Sequence, residues 1–507
     1  MSGAGTTRRF RLPHRAAAMA YGAANLGRIG ELGLRLGVRP GLEGIRRYPW
    51  LLTLLGVGEL HFSMTRDRHG PYHEANAYVI HALLSGLIDM LDGLFHRPQE
   101  TVIHEDLVPP EILFGMGLHP WMAEILGIVL PMVESSSVEP YIDVAENAGV
   151  PSDVCSLPKS TVGLALSGHM PKPAAVVTSN MPCDGGMAQY ALIERALGVP
   201  TYRLDVPYGF HDERAVEYFA AQLRRLVEWL EAHTPGRMDW DRLRQVCELR
   251  NRAMEHELEL WDLLRARPAP MAAEPVYLSH MMWGVARPGT ERGVKVFRRI
   301  ADLARQNLNL GRGALTDERY RVALWNPPTL ICLDLFAWAE QAYGVALLMD
   351  MLTYHRHPYV DTRSPDTMLR DLARIIMQGP MARHTRGPAQ NFFGDLFHMV
   401  EHFGLDMIWM AGHVGCKNTQ ALSGMFREQC RARDIPLLTI DYDLSDTRVV
   451  PPAGIRRQVE RFMETVMQAD RLTEIPTVGQ DDQGYEHSRL LRRLRRWIHD
   501  WQGGRVA

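Results

Sequence analysis

The chain has 507 residues, of which 46% are hydrophobic and 23% charged. This is ordinary globular usage; it excludes fibrous and disordered classes and leaves room for two or three separate cores. Its 56 basic and 59 acidic side chains nearly cancel, to a net charge of −3, so the overall balance points neither to nucleic acid nor to an anionic membrane surface. Six cysteines in this length are too few for a disulfide framework and fit a reducing compartment, which makes the cytoplasm the expected location.

The first forty residues carry Arg8, Arg9, Arg11, Arg15, Arg28, Arg35 and Arg39 against one acid, Glu31. Organellar transit peptides share that bias, but a loose arm followed by a peripheral helix is the simpler reading. Residues 1–100 read as a helical N-terminal extension, with apolar residues three and four apart through 78–94. The most continuous apolar stretch, 112–133, is interrupted by His119, Pro120, Glu124 and Pro131. Burying those groups in lipid is costly, so a pair of short core elements is expected there and no membrane span.

From residue 101 short β-rich runs alternate with amphipathic stretches, the sign of parallel α/β units. A first α/β domain is expected over 101–270. It contains a buried strand at 174–179 (AAVVTS), the loop NMPCDGG and a helix at 187–198. A strand follows at 201–206 (TYRLDV), then helices at 216–233 and 239–265. PAPMAAEP (268–275) reads as a linker, within a helical connecting region over 271–318. A second α/β domain is expected over 319–475, with strands at 321–325, 406–411 and 436–441 and helices at 420–433 and 455–467. The Arg- and Trp-rich tail, 476–507, reads as a surface helix. The expected architecture is thus α/β: two tandem Rossmann-like or flavodoxin-like parallel-sheet domains with a helical N-terminal extension.

Three cysteines stand where an active site can use them. Cys183 follows AAVVTS and precedes Asp184-Gly185-Gly186, and Cys416 follows DMIWMA in GHVGCK. Ligands of open α/β sheets collect at the carboxyl ends of strands. Cys155, in DVCSLPKS, leads into a helical run at 160–166, and unpaired amides at a helix start favour a thiolate. Gly185, Gly186 and Gly415 permit close backbone approach. Lys159 and Lys417, two of only four lysines in the chain, lie within four residues of these cysteines and are placed to offset negative charge. Cys247, Cys332 and Cys430 read as buried thiols in helical or apolar runs.

Separations of 28 and 233 residues match no compact metal motif, and no CxxC is present, which excludes zinc ribbons and bacterial-ferredoxin patterns. On spacing alone the three cysteines stay open between core thiols and ligands. His413, three residues before Cys416 in HVGC, is a candidate fourth ligand of a Cys3His zinc site, a weak candidate for proton transfer, or a structural histidine. Asp441, Asp443, Asp446 and Arg448 read as a charged network shaping a loop. His355 and His357 carry no motif-level signal.

Several blocks taken together go further. They are HEDLVPPEILFGMGLHP (104–120), DVCSLPKSTVGLAL (153–166), VVTSNMPCDGG (176–186), LDVPYGFHDERAVEYFAAQLRRLVEWLE (204–231), GHVGCKNTQALSGMFREQCRARDIPLLTIDYDLSDTR (412–448) and IRRQVERFMETV (455–466). In order, they resemble successive blocks of the 2-hydroxyacyl-CoA dehydratase and benzoyl-CoA reductase family, over residues 101–470. The resemblance implies a 4Fe–4S cluster held by Cys155, Cys183 and Cys416, with one iron left open to act as a Lewis acid. One electron placed on a thioester carbonyl gives a ketyl radical anion, which eases expulsion of a hydroxyl group or electron entry into an aromatic ring.

The implied function is the iron–sulfur subunit of an oxygen-sensitive radical acyl-CoA enzyme dehydrating a 2-hydroxyacyl-CoA. The family also offers ATP-dependent reduction of benzoyl-CoA or another aryl-CoA, and reduction of small molecules on a double-cubane cluster, which needs further cysteine ligands. A non-catalytic electron-relay or structural subunit is a further alternative, as is a zinc-binding or metal-free α/β protein outside the family's chemistry. Implied partners are an acyl-CoA substrate, a homologous second subunit or second copy of the chain, and a separate ATP-hydrolysing iron–sulfur activator.

Overall fold

The computed structural model describes residues 13–36, 38–209, 212–326 and 329–473. The extreme N-terminal arm and the tail helix expected over 476–507 lie outside the described residues. Among those described, eight strands form two parallel four-stranded sheets. The first holds β1 (Thr101–His104), β2 (His119–Met122), β3 (Ala175–Ser179) and β4 (Thr201–Leu204) in the order β2-β1-β3-β4. The second holds β5 (Tyr320–Trp325), β6 (Val345–Asp350), β7 (Met407–His413) and β8 (Leu437–Tyr442) in the order β6-β5-β7-β8. Each half therefore places its second strand outside its first and its third on the other side. Where that order reverses, the helices leave opposite faces and a crevice opens at the carboxyl ends of the central pair. The central pairs are β1 with β3, where Ile103 faces Val176, and β5 with β7, where Val322 faces Met407.

β3 and β7 are buried along their whole length because helices cover both faces, which is why AVVTS and MIWMAGH lack an apolar–polar alternation. The strands expected near 174, 201, 321, 406 and 436 are all present. Three others give a weaker signal. β2 contains Pro120, which argues against a strand, but β2 is an edge strand where a missing N–H is tolerated. β1 has four residues, and β6 (VALLMD) is an apolar run that reads equally well as buried helix. The two short core elements expected in 112–133 are β2 and the helix Ile125–Val133.

The helix Gly70–His96 has the length and apolar content of a membrane span, yet 72% of its most apolar window is buried inside the protein. His14–Leu36 packs along it. The segment at 268–275 is not a loose connector. Ala269, Met271, Ala272 and Ala273 are fully buried, and the Ala273 N–H donates to the Leu347 carbonyl of β6 at 2.8 Å. Proline and alanine serve a tight buried crossing here as well as they would a linker. The halves are also joined directly: Met368, Leu369 and Leu372 of the helix Pro365–Gln378 share a core with Val216, Phe219 and Leu223 of Glu213–His233.

Candidate metal centre and active-site cavity

Cys155, Cys183 and Cys416 each occupy the residue just before a helix: Ser156–Leu166, Asp184–Leu197 and Lys417–Arg431. Cys183 and Cys416 each follow the third strand of a sheet, β3 and β7, so the repeated topology sets them at equivalent places. Cys155 has no counterpart in the second half. All three line one cavity of about 580 Å³. Gly415 makes the approach possible, since a Cβ there would lie 2.5 Å from Cys155 Cα and 2.8 Å from its nitrogen, backbone atoms that cannot step aside. Cys247, Cys332 and Cys430 are buried and line no part of the cavity.

Burial pushes the Cys155 thiol well above its ordinary pKa; the Leu157 amide opposes this, while Asp443, Cys416 and Cys183 add to it. Cys183 is likewise raised by burial, against the amides of Gly186 and Gly185 and with the Cys416 charge. The thiolates thus work against one another, and a cation among them relieves that repulsion. Three convergent sulfur donors suit a soft or borderline metal.

His413, at the end of β7, is 2% exposed. Its Nδ1 accepts the Leu444 N–H at 3.2 Å, so in the neutral ring the proton sits on Nε2, 2.9 Å from Cys155 Sγ. Burial lowers its pKa against the charge of Asp443, which favours that neutral ring. His413 therefore stands as a donor to a cysteine sulfur, a different posture from that of a fourth metal ligand. The two lysines near the cysteines are engaged elsewhere. Lys159 is buried on Glu146 at 2.6 Å, and the exposed Lys417 pairs with Asp153 at 3.2 Å. Asp443 accepts the Ser445 and Asp446 N–H groups, both at 2.9 Å. Arg448 grips Asp446 through two bonds of 2.8 Å and reaches Asp143 at 2.7 Å. That network shapes the loop after β8.

The cavity holds two further groups that the sequence motifs do not single out. Asp106 and Glu124, just past β1 and β2, both line it. Burial, reinforced by the Asp106 charge, pushes Glu124 up to about 8 although Tyr190 and Gln189 donate to its Oε1 at 2.5 and 2.7 Å. Among the described residues its Oε2 has no hydrogen-bond partner, and it is buried. Burial raises Asp106 to about 6. In the sequence, Glu124 shows only as a polar break in an apolar run. On the other side His384 donates from Nε2 to Asp395 at 3.0 Å, which leaves Nδ1 as a lone-pair acceptor, buried and without a partner among the described residues. Burial lowers its pKa despite the Asp395 charge, so the ring is neutral. No spacing rule links His384 to the cysteines; packing of Phe392 and Trp325 against its ring brings it to the cavity wall.

The family model described as "2-hydroxyglutaryl-CoA dehydratase, D-component" matches residues 107–466, a span that includes all three cysteines. The chain is 23% identical over 182 residues to the (R)-phenyllactyl-CoA dehydratase alpha subunit of Clostridium sporogenes, covering 34% of this chain and 44% of that relative. It therefore spans less than half the length of that protein. It is 21% identical over 397 residues to the alpha subunit of lactoyl-CoA dehydratase from Anaerotignum propionicum, covering 71% and 88%. To a benzoyl-CoA reductase subunit of Thauera aromatica it is 28% identical over 348 residues, covering 64% and 79%. With a match over well more than half its length, one that takes in seven of the eight described strands and the three cysteines of the cavity, the chain belongs to the 2-hydroxyglutaryl-CoA dehydratase D-component family.

Proposed function

We propose that this chain is the iron–sulfur subunit of a radical acyl-CoA enzyme that dehydrates a 2-hydroxyacyl-CoA. The observation that carries the reading is the convergence of Cys155, Cys183 and Cys416, each at a helix N-terminus, on one cavity that also holds the protonated carboxyl of Glu124. The donor set fits: three cysteine sulfurs that line one cavity, those of Cys155 and Cys183 served by helix amides, would hold a 4Fe–4S cluster. When bound, that group supplies low-potential electron transfer and an open-sited Lewis acid. His413 would donate its Nε2 hydrogen to the Cys155 sulfur, an outer contact of the kind that orients and tunes a ligand.

The reaction removes hydroxide from C2 and a proton from C3, releasing water with no net redox change. The chain must therefore give a proton to the departing oxygen and accept one from carbon. The Glu124 carboxyl, which burial keeps protonated at neutral pH, is suited to the first task. The unpartnered Nδ1 of His384, oriented by Asp395, is suited to the second. A cavity of about 580 Å³ falls within the range of roughly 300–1,000 Å³ usual for small-molecule sites, which supports a substrate-binding subunit over a pure electron relay. Two relatives are named alpha subunits, which supports a homologous second subunit. The electrons would come from a separate ATP-hydrolysing activator, and the oxygen-sensitive thiols suit the cytoplasm.

A second reading, reduction of an aryl-CoA, is favoured by the 28% identity to the benzoyl-CoA reductase relative and by Phe392 and Tyr208 in the cavity wall. Product analysis separates the two: a 2-enoyl-CoA from a 2-hydroxyacyl-CoA, or a dearomatised ring from benzoyl-CoA.

The first test is iron and acid-labile sulfide on protein purified without oxygen. About four of each per chain is the expected result. About eight irons would favour a double cubane and bring Cys247, Cys332 or Cys430 into play, and essentially none after reconstitution would overturn the proposal. Cys183→Ser should lose most of the iron and the broad absorption near about 400 nm, and Cys247→Ser should keep both. The reverse pattern would show the ligand assignment to be wrong.

A further inference from the structure

A second cluster of donors is built into the interior, away from the cysteine cavity. Glu257 lies on the helix Trp240–Leu264, His280 opens the π-helical turn His280–Ala286, and His355 sits in the loop after β6. Each offers one ligand atom, and the three atoms lie within 4.8 Å of one another. Glu257 and His280 are 1% and 2% exposed, and the His355 side chain 8%. Glu257 Oε1 is 2.8 Å from His280 Nδ1 and 3.9 Å from His355 Nε2. Donors of one tetrahedral zinc ion, at about 2.0–2.1 Å from the metal, stand about 3.3 Å apart, between those two separations.

A hydrogen-bonded pair of Glu257 and His280 would account for the shorter distance alone. Among the described residues it leaves His355 Nε2 and Glu257 Oε2 buried without a hydrogen-bond partner, and buried polar atoms are seldom left so. The surroundings hold the donors in place. Trp261 stacks on the His355 ring at 5.8 Å with the planes 3° apart. Asp350 Oδ1 accepts the Leu352 and Thr353 N–H groups at 2.8 and 3.1 Å, fixing the start of the His355 loop. Gly284 keeps space open at His280, where a Cβ would meet Nδ1 at 2.6 Å. π-helical turns of this kind recur at functional sites.

We propose that Glu257, His280 and His355 form a divalent transition-metal site, separate from the three-cysteine centre. Two imidazoles and a carboxylate suit zinc or a similar borderline ion. The ion would bolt the long helix and the π turn to the loop after β6. That loop begins at Met351, which lines the cysteine cavity, so the ion would brace one wall of the active site. His355 carries no signal in the sequence because its partners come from distant segments.

The test uses the full chain with Cys155→Ser, Cys183→Ser and Cys416→Ser, so that thiolates cannot take the ion. Titrated with cobalt(II), it should develop visible d–d bands without a sulfur-to-cobalt charge-transfer band, saturating at about one ion per chain, and zinc should displace the cobalt. His355→Ala should weaken cobalt binding by about tenfold or more, with circular dichroism showing the fold retained. Absence of d–d bands, or binding indifferent to His355→Ala, overturns the proposal. If the triple-serine chain does not fold, zinc and iron are measured on the anoxically purified chain with all cysteines intact. There His355→Ala should remove about one zinc and leave iron unchanged; unchanged zinc overturns the proposal.

Discussion

At Glu124, hydrogen bonding and burial pull in opposite directions. Tyr190 and Gln189 donate to Oε1 and favour the carboxylate, but burial and the Asp106 charge prevail and push the group from 4.5 to about 8. Because the folded pKa lies above the unfolded one, the native state binds the extra proton between those two values. Stability therefore falls as pH rises from 4.5 to about 8 and levels off above that window. Glu124→Gln preserves the shape and an acceptor for Tyr190 while removing the titration. The contribution of this one proton to the slope, up to about 1.4 kcal/mol per pH unit, should disappear. Urea midpoints of the metal-free protein from about pH 5 to pH 9 measure it. An unchanged slope would mean that Glu124 is already ionised in the fold and is no proton donor.

Three helices deliver the three cysteines, so the way each helix is seated sets the geometry of the centre. Ser156–Leu166 lies so close to Glu139–Asn147 that a Cβ at Gly163 would stand 1.9 Å from the Tyr141 carbonyl oxygen. Gly163→Ala must push the helix outward and carry Cys155 with it. It should cost about 1–3 kcal/mol or more and reduce iron uptake on reconstitution. Gly27→Ala makes the same chemical change in His14–Leu36, where a Cβ would meet no described residue within 4 Å. It should be neutral or stabilise by up to about 1 kcal/mol. Urea unfolding of the two variants reads the difference in sign. This scale also shows what the sequence discloses. β3 and β7 are apolar runs closed by loops, so the cysteines after them are recognisable as strand-end residues. β2 and the buried crossing at 268–275 are hidden because proline carries the same local meaning at an edge, in a crossing or in a linker. Glu124, His384 and the Glu257–His280–His355 cluster are hidden for another reason. Their chemistry depends on which groups from distant segments bury them and which of their atoms are left unpaired.

Residues before 107 lie outside the family match, and a buried charge network fastens them to the rest of the molecule. Arg68 stands just ahead of the helix Gly70–His96. It reaches Glu274 at 2.7 Å, at the end of the buried crossing, and Glu340 at 2.9 and 3.0 Å, in the helix Leu335–Tyr343 of the second half. Tyr72 donates to Glu340 at 2.6 Å. Two carboxyl groups thus share one guanidinium in the interior, and burial raises Glu274 to about 7 even with Arg68 beside it. Arg68→Met keeps most of the volume but strips both acids of their counter-charge, which should cost about 3–5 kcal/mol. Protonation is the remaining way to relieve a buried, unpaired carboxylate. The folded variant should therefore hold a proton at Glu274 to higher pH than the parent, and its deficit should grow as pH rises from about 5 to about 9. Adding Glu340→Gln should recover part of the loss, because one uncompensated charge is then gone. Urea unfolding across that pH range measures both effects. Equal deficits at both ends would mean that Arg68 contributes through packing alone. Proteolysis separates local loosening from global unfolding. Cleavage confined to the chain near Arg68, with iron content unchanged, is expected if the network attaches the N-terminal helices to a cluster-bearing body that stands without them.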